Sequence, residues 1–178
     1  MKWLIASDIH GSARWCQALM ENRKNENADR ILLLGDLLYH GPRNDLPFEY
    51  DPKAVITMLN SVAGDVLCVR GNCDAEVDQM VLDFPITADC AALAWRDRLI
   101  FAVHGHLSPP ALHPGDVLLG GHTHVSACEK RGEILYCNPG SVSLPKNGTP
   151  RGFMTFEDGL FVWKTLEGEA YRTLSLRD

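Results

Sequence analysis

Short apolar runs alternate with longer amphipathic segments in the first third of the chain. Three of these runs are typical of buried β-strands: residues 3–6, 30–34 and 66–69. Between them, residues 12–27 and 52–64 carry apolar side chains at helical spacing, with Ser12 suited to cap the first helix and Pro52 to begin the second. Because a helix is the usual crossover between parallel strands, this pattern predicts a parallel strand–helix–strand arrangement.

The remainder of the chain is richer in strands. After a short helix at residues 75–80, the pattern predicts strands at residues 81–85, 91–95, 99–103, 116–119, 126–130, 133–137, 152–157, 160–165 and 170–176. Turn residues at 95–98, 131–132 and 158–159 join neighbouring strands into hairpins. Helical crossovers early and hairpins late predict two packed sheets flanked by helices.

Length and composition indicate one globular domain over residues 1–178. The net charge of -6 argues against a broad surface for nucleic acid or anionic membranes, but bound cations would still allow a phosphate substrate. None of the six cysteines forms a C-x-x-C pair, and no apolar run reaches the roughly 18 residues of a membrane span. We therefore expect a cytoplasmic protein with reduced thiols and no membrane segment.

Five of the predicted strands end in polar residues of the kinds that bind metals. The clusters are Asp8-Ile9-His10, Gly35-Asp36, Gly71-Asn72-Cys73-Asp74, His104-Gly105-His106 and Gly120-Gly121-His122-Thr123-His124. In open α/β sheets, ligands bind beyond the carboxyl ends of the strands. Core packing does not explain five such clusters, so we expect them to build one site.

The candidate metal ligands are four histidines, two aspartates and one asparagine: Asp8, His10, Asp36, Asn72, His104, His122 and His124. Seven ligands are too many for one tetrahedral ion and suit two adjacent ions that share a carboxylate. Nitrogen and oxygen ligands without thiolate favour Mn²⁺, Fe, Co²⁺, Ni²⁺ or Zn²⁺. Two ions about 3.5–4 Å apart can stabilise the attacking and leaving oxygens of a phosphoryl displacement.

The order D-x-H, G-D, G-N-x-D, H-G-H and G-H-T-H resembles the motif pattern of the calcineurin-like metallophosphoesterases. Longer strings at residues 7–12, 35–44, 69–74 and 138–143 are similar to the small bacterial YfcE-type phosphodiesterases within that superfamily. The resemblance extends from Met1 to about Pro145, and the final strands match only in general character.

This resemblance implies a four-layer αββα sandwich, in which two mixed sheets are flanked by helices and a two-metal site lies at the carboxyl ends of strands. It implies that Asp8, His10 and His124 hold one ion, that Asn72, His104 and His122 hold the other, and that Asp36 bridges them. It further implies hydrolysis of small phosphodiesters by in-line attack of a metal-bridging hydroxide, typically with Mn²⁺. The catalytic residues are then Asp36, His104, Asn72, Cys73 and Asp74, with Asp74 more a structural partner than a proton donor.

Cys73 departs from the wider superfamily, in which many members carry a histidine there that assists the leaving group. A neutral thiol is a weak donor. Assistance would then come from a metal, from His106 or Arg43, or from the low pKa of the leaving group itself. We therefore expect a preference for diesters with good leaving groups.

The substrate is expected to be a small-molecule phosphodiester in a pocket built by residues 39–50 and 106–114, with Arg43, Asn44 and His106 as candidate contacts. Extended nucleic acid is disfavoured by the acidic charge. A phosphomonoesterase, a nuclease or a non-catalytic scaffold of the same fold are the alternatives. Family members often self-associate, so a homo-oligomer is a further expectation.

Overall fold

The structure, a computed structural model, describes residues 1–177. Its elements in chain order are β1 (Lys2–Ala6), α1 (Ala13–Asn25), β2 (Arg30–Leu33), α2 (Pro52–Asn60), a 3-10 helix (Ala63–Asp65), β3 (Val66–Cys68), α3 (Glu76–Gln79), β4 (Cys90–Trp95), β5 (Arg98–Val103), β6 (Val117–Leu119), β7 (Ser126–Arg131), β8 (Ile134–Pro139), β9 (Gly152–Glu157), β10 (Leu160–Thr165) and β11 (Ala170–Ser175). None of these helices is long and apolar enough to span a membrane.

The strands form two mixed sheets. The first sheet has six strands in the order β11-β10-β9-β1-β2-β3, in which β1, β2 and β3 are parallel and the others antiparallel. The second has five strands in the order β4-β5-β6-β8-β7, with parallel pairing of β5, β6 and β8. The predicted sandwich of two mixed sheets is confirmed.

Alternating side chains of β1 show how the layers are held together. Leu4 and Ala6 face α1 and α2, and Ile5 faces the second sheet. The layer between the two sheets is apolar and includes Trp163 and Phe161 of β10, both fully buried. This alternation follows from the two-residue period of a strand and gives each sheet a core on the face it buries.

Helices α1 and α2 pack on the first sheet. Ser12 caps α1 by accepting the amide N–H of Trp15, and Asp51 caps α2 by accepting that of Ala54, with Pro52 in the first turn as expected. The outer face of the second sheet instead packs a small cluster around Tyr136 and Leu118, which includes Leu112 of the loop between β5 and β6. The flanking helices therefore cover one sheet, and a proline-containing loop contributes to the other outer layer.

The strand predicted at residues 81–85 is wrong. Leu82 and Phe84 are buried in the helix-side core, but the segment pairs with no strand. The side chain of Gln79 takes the place of a strand neighbour: its amide nitrogen donates to the carbonyls of Leu82 and Phe84, and its oxygen accepts the N–H of Ile86. The side chain of Asn60 donates to the carbonyl of Val81 and accepts the N–H of Asp83, so an alternating pattern here marks a half-buried segment whose backbone is satisfied by side chains.

Candidate metal centre

The predicted polar clusters lie at one edge of the sandwich, after the carboxyl ends of parallel strands from both sheets. Asp8 follows β1, Asp36 follows β2 and Asn72 follows β3 in the first sheet. His104 follows β5 and His122 follows β6 in the second sheet. The face-to-face packing of the sheets brings these loops together, which is why residues far apart in the sequence share one site.

Five of the candidate ligands have left-handed backbone conformations. The φ angles are 58° for Asp8, 50° for His10, 58° for Asp36, 64° for His122 and 60° for His124. Such conformations are uncommon for residues other than glycine and cost about 1–3 kcal/mol when strained. Backbone hydrogen bonds between the loops hold them in place, including His10 N–H to the Asp36 carbonyl at 2.9 Å. Strain concentrated at one edge indicates a functional site.

Glycine is required where the loops meet. A Cβ atom on Gly71 would lie 2.1 Å from Oδ1 of Asp36, and one on Gly121 would lie 2.0 Å from Oγ of Ser7. These two glycines therefore allow the loops after β3 and β6 to approach the loops after β2 and β1.

Three of the histidines are oriented by backbone carbonyls. The Nδ1 atom of His10 donates to the carbonyl of Tyr39 at 2.8 Å, that of His104 to Leu34 at 2.6 Å, and that of His124 to Leu144 at 2.7 Å. A carbonyl only accepts, so the proton of each neutral ring lies on Nδ1. Each Nε2 atom then presents a lone pair to the centre of the site, as in histidines that bind metals.

One group of ligand atoms comprises Asp8, His10 and His124. The Nε2 atoms of His10 and His124 lie 3.1 Å apart, and they lie 3.6 and 3.3 Å from Oδ1 of Asp8. All three side chains are buried, and Oδ1 of Asp8 has no hydrogen-bond partner. Ligand atoms about 2.1 Å from one ion lie about 3.0–3.6 Å apart at angles of about 90–120°. The spacing and the unpaired oxygen therefore fit a divalent cation.

A second group surrounds Asp36 and His104. The Nε2 atom of His104 lies 3.4 Å from Oδ2 of Asp36 and 3.0 Å from Oδ1 of Asn72, and Oδ2 of Asp36 also lies 3.6 Å from Nε2 of His10. The Asp36 carboxylate is thus within reach of both groups. The His122 ring lies beside that of His104, with ring centroids 5.1 Å apart. Among the described residues, three groups of three have ligand atoms that all lie within 4.8 Å of one another, and His122 belongs to none of these groups.

Burial and opposite charge shift the titration of this cluster. Burial alone would raise the pKa of Asp8, but contacts with His10 and His124 lower it below its ordinary value. Burial opposes the charged form of His104, but Asp36 and Asp8 outweigh it and raise the pKa of His104 to about 9. Burial and the neighbouring His104 lower the pKa of His122. The cluster therefore favours a positive charge at its centre.

Cys73 and Asp74 occupy different environments. Burial and the negative charge of Asp36 raise the pKa of the Cys73 thiol to about 12, so the thiol stays neutral at pH 7. The Asp74 carboxylate is buried and accepts three backbone N–H groups, from Asp36, Leu37 and Gly71, each at 2.8 Å. Asp74 therefore ties the loop after β2 to the loop after β3.

Further hydroxyl and amide groups, to which the sequence motifs assigned no role, support the site from behind. The hydroxyls of Ser141 and Ser143 both donate to the carbonyl of Asp8, at 2.8 and 3.1 Å. The side-chain nitrogen of Asn138 lies 2.8 Å from the carbonyl of Gly121 and 3.2 Å from Oγ1 of Thr123. The segment 138–143 thus orients the loops that carry Asp8 and His124. In the sequence, only the similarity of this segment to the YfcE-type phosphodiesterases pointed to a role in the site.

A cleft of about 1040 Å³ opens over the ligand atoms. Arg43 and Asn44 line it as expected, although the Asn44 side chain also donates to the His40 carbonyl at 2.8 Å. His106 lies outside it, in a smaller cleft of about 250 Å³ next to His104. Of the two loops expected to build the pocket, residues 39–44 contribute to the large cleft and residues 106–110 to the smaller one. Tyr39 also lines the large cleft as expected, and residues that the sequence did not reveal complete it: Arg70, Val77 and Lys146.

With this geometry, the chain belongs to the calcineurin-like phosphoesterase superfamily, whose domain model matches residues 1–158. Within that superfamily it is 49% identical to Phosphodiesterase YfcE of Escherichia coli strain K12, over 157 residues that cover 86% of this chain and 85% of the relative.

Solved structures agree with the sequence comparison. A structure of Yfce, described as a phosphoesterase from E. coli, matches with a TM-score of 0.95 at 43% identity and covers 99% of this chain and 100% of that chain. Vps29 of Entamoeba histolytica complexed with Zn²⁺ matches with a TM-score of 0.65 at 19% identity, covering 99% and 100% of the two chains. An archaeal phosphodiesterase matches with a TM-score of 0.63 at 21% identity, covering 98% and 99%. The last two show a shared fold only.

Proposed function

We propose that this chain is a metal-dependent phosphodiesterase that hydrolyses small phosphodiesters. The observation that carries the proposal is the buried convergence of histidine Nε2 and carboxylate oxygen atoms in a chain closely related to Phosphodiesterase YfcE. All seven candidate metal ligands are present in the sequence, which argues against a non-catalytic scaffold.

In this proposal, Asp8, His10 and His124 hold one divalent ion, Asn72, His104 and His122 hold a second, and Asp36 lies between them. The backbone carbonyls that fix three of the histidines keep the metal-binding nitrogens aimed at the centre. The donor set supports Mn²⁺ as the proposed metal, with Ni²⁺, Co²⁺, Fe and Zn²⁺ as alternatives. When bound, the two ions would activate water and stabilise negative charge on the attacking and leaving oxygens.

Hydrolysis joins the oxygen of water to phosphorus, breaks the bond to one ester oxygen and returns a proton to that oxygen. The products are a phosphomonoester and an alcohol. Asn72 and Cys73 line the cleft beside Asp36, so they are placed to contact the phosphoryl group. The neutral thiol of Cys73 supplies no charge to the departing oxygen, which supports a preference for good leaving groups.

A reducing compartment fits this chain, and we propose the cytoplasm. All six cysteines are free thiols, and several of them, such as Cys16 and Cys68, are buried core residues. Self-association stays a prediction from the resemblance.

Comparing a diester with a monoester tests the proposal. Metal-stripped protein is assayed on bis-p-nitrophenyl phosphate and p-nitrophenyl phosphate after separate restoration of Mn²⁺, Ni²⁺, Zn²⁺ and Mg²⁺. We expect metal-dependent turnover of the diester over the monoester, and its loss in Asp36→Ala and His104→Ala. Preferred turnover of the monoester would make the chain a phosphomonoesterase, and binding of no metal would favour a scaffold.

A further inference from the structure

Three cations surround the large cleft beyond the ligand atoms. They are Arg43 in the loop after β2, Arg70 directly after β3, and Lys146 in the loop after β8. Among residues 1–177, no carboxylate lies within 4.0 Å of any of the three, whereas Arg23 and Lys164 have such partners elsewhere on the surface. Arg70 Nε donates to the backbone carbonyl of Asp74 at 3.4 Å, but within the described part of the protein no carboxylate neutralises any of the three charges.

Each cation is attached to a loop that carries a candidate metal ligand. Arg70 precedes Asn72 by two residues. The backbone N–H of Lys146 donates to the carbonyl of His124 at 3.0 Å. Arg43 follows Tyr39, whose carbonyl accepts from His10. The loops that place the ligands thus also place the cations, on separate sides of one opening.

The acidic residues of the cleft do not offset these cations. Asp36 faces the metal centre, and the Asp74 carboxylate is occupied by three backbone N–H groups. Glu76 is the remaining carboxylate of the lining. The charges of two divalent ions are largely offset by Asp8, Asp36 and the phosphodiester group itself. A diester with uncharged arms would therefore leave an excess of positive charge around the cleft.

The volume and apolar surface of the cleft favour an organic arm of substantial size. At about 1040 Å³ the cleft is as large as sites that enclose whole small molecules, far beyond the need of one phosphoryl group. Tyr39, 43% exposed, offers a ring at its edge, and Val77 offers an exposed apolar surface. A bulky arm bearing an anion would meet both the apolar surface and the cations.

From these observations we infer that the substrate is a phosphodiester with a second anionic group on one of its ester arms. This group, a phosphate or a carboxylate, contacts Arg43, Arg70 and Lys146. The inference rests on the proposed phosphodiesterase activity and specifies its substrate class. Arginine pairs with phosphate and carboxylate through two parallel N–H bonds, and lysine adds a point charge, so the arm would be selected by charge.

Two chromogenic esters with the same leaving group test the inference. Thymidine 5′-(p-nitrophenyl phosphate) has an uncharged nucleoside arm, and its 3′-phosphorylated counterpart differs only by one anionic group. With the Mn²⁺-loaded protein at low salt, we expect kcat/KM to be about tenfold higher for the phosphorylated ester, mainly through KM. The ratio should fall towards one at high salt and in Arg43→Gln, Arg70→Gln and Lys146→Gln.

Lys130→Gln is the matched control, because Lys130 is an exposed lysine of β7 away from the cleft, and it should keep the ratio of the parent protein. Calorimetry gives a readout independent of turnover: thymidine 3′,5′-bisphosphate should bind more tightly than thymidine 5′-phosphate, and the three variants should reduce that difference. Hydrolysis of both esters at equal rates, or a ratio of kcat/KM that the variants leave unchanged, would overturn this inference and leave the proposed function standing. Hydrolysis of neither ester would overturn the proposed function as well.

Discussion

The hydroxyl of Ser141 links two candidate ligands of the same metal. It donates to the carbonyl of Asp8 at 2.8 Å and accepts the N–H of Leu144 at 2.8 Å, and the carbonyl of Leu144 accepts from Nδ1 of His124. One buried side chain therefore links the left-handed backbone of Asp8, which Ser143 also holds, to the ring orientation of His124.

Ser141→Ala should weaken the metal site of Asp8, His10 and His124 more than the other site. Loss of such a supporting hydrogen bond typically costs about 10- to 100-fold in metal affinity. Calorimetric titration with Mn²⁺ should show one of two binding steps weakened by about this factor. Ser61→Ala, which removes a hydroxyl at the end of α2, is the control. Equal weakening of both steps would show that Ser141 supports the fold rather than that site.

Asp74→Asn should destabilise the protein strongly although the two side chains have the same size. The amide nitrogen of asparagine cannot accept a hydrogen bond, so at least one of the three N–H donors around Asp74 loses its partner. We expect a loss of about 2–3 kcal/mol in the free energy of unfolding, measured by urea denaturation. Asp78→Asn is the matched control, since Asp78 accepts the N–H of Ala75 at a partly exposed helix start. A similar cost for both substitutions would argue against a clamping role for Asp74.

The stability of the metal-free protein should fall as the pH rises. Burial lowers the pKa of His104, but the charges of Asp36 and Asp8 prevail and raise it from 6.5 to about 9. A raised pKa in the folded state stabilises the protein fully below about pH 6.5, and this contribution is lost as the pH rises through about 9. Scanning fluorimetry of chelator-treated protein should show Tm falling by about 5 °C across this window.

Metal and proton compete for the same nitrogen, so added Mn²⁺ should raise Tm more at the alkaline end of the window than at pH 6.5. His104→Asn should remove most of the dependence of Tm on pH in the metal-free protein. A Tm of the chelator-treated parent that stays constant or rises with pH would contradict the electrostatic description of the cluster.

Cys73→His should make kcat/KM less dependent on the pKa of the leaving group. The parent thiol is neutral and a weak donor, so kcat/KM should fall steeply as the pKa of the leaving alcohol rises. A histidine can donate a proton to the departing oxygen, which typically contributes about 10²- to 10⁴-fold for poor leaving groups. The measurement is the slope of log kcat/KM against leaving-group pKa for a series of methyl aryl diesters. A flat dependence in the parent protein would refute the hypothesis, and metal content measured in both proteins excludes a simple loss of metal.

The strands and the edge that carries the site were predictable because their signals are local. Apolar runs ending in Asp8, Asp36 and His104 mark strand ends, and parallel strands place those ends together. The Arg96-Asp97 turn was also local, and Arg96 adopts the left-handed conformation that such a turn needs, with φ 53°.

Other features depend on contacts between distant segments and leave little trace in the sequence. The segment 81–85 has a strand-like pattern, but the side chains of Gln79 and Asn60 bond its backbone. Arg70 and Lys146 meet at one cleft although 76 positions separate them, and each alone is an ordinary surface cation. His106, three residues after the end of β5, lines the smaller cleft beside His104.

The dependence of turnover on metal stoichiometry tests the central claim most directly. Metal-stripped protein is titrated with Mn²⁺, and initial rates on bis-p-nitrophenyl phosphate are measured at each equivalent added. We predict negligible turnover without metal and a rate that reaches its plateau at about two ions per chain, because Asp36 lies within reach of two ligand groups. A plateau at one ion per chain, or turnover in the stripped protein, would contradict it.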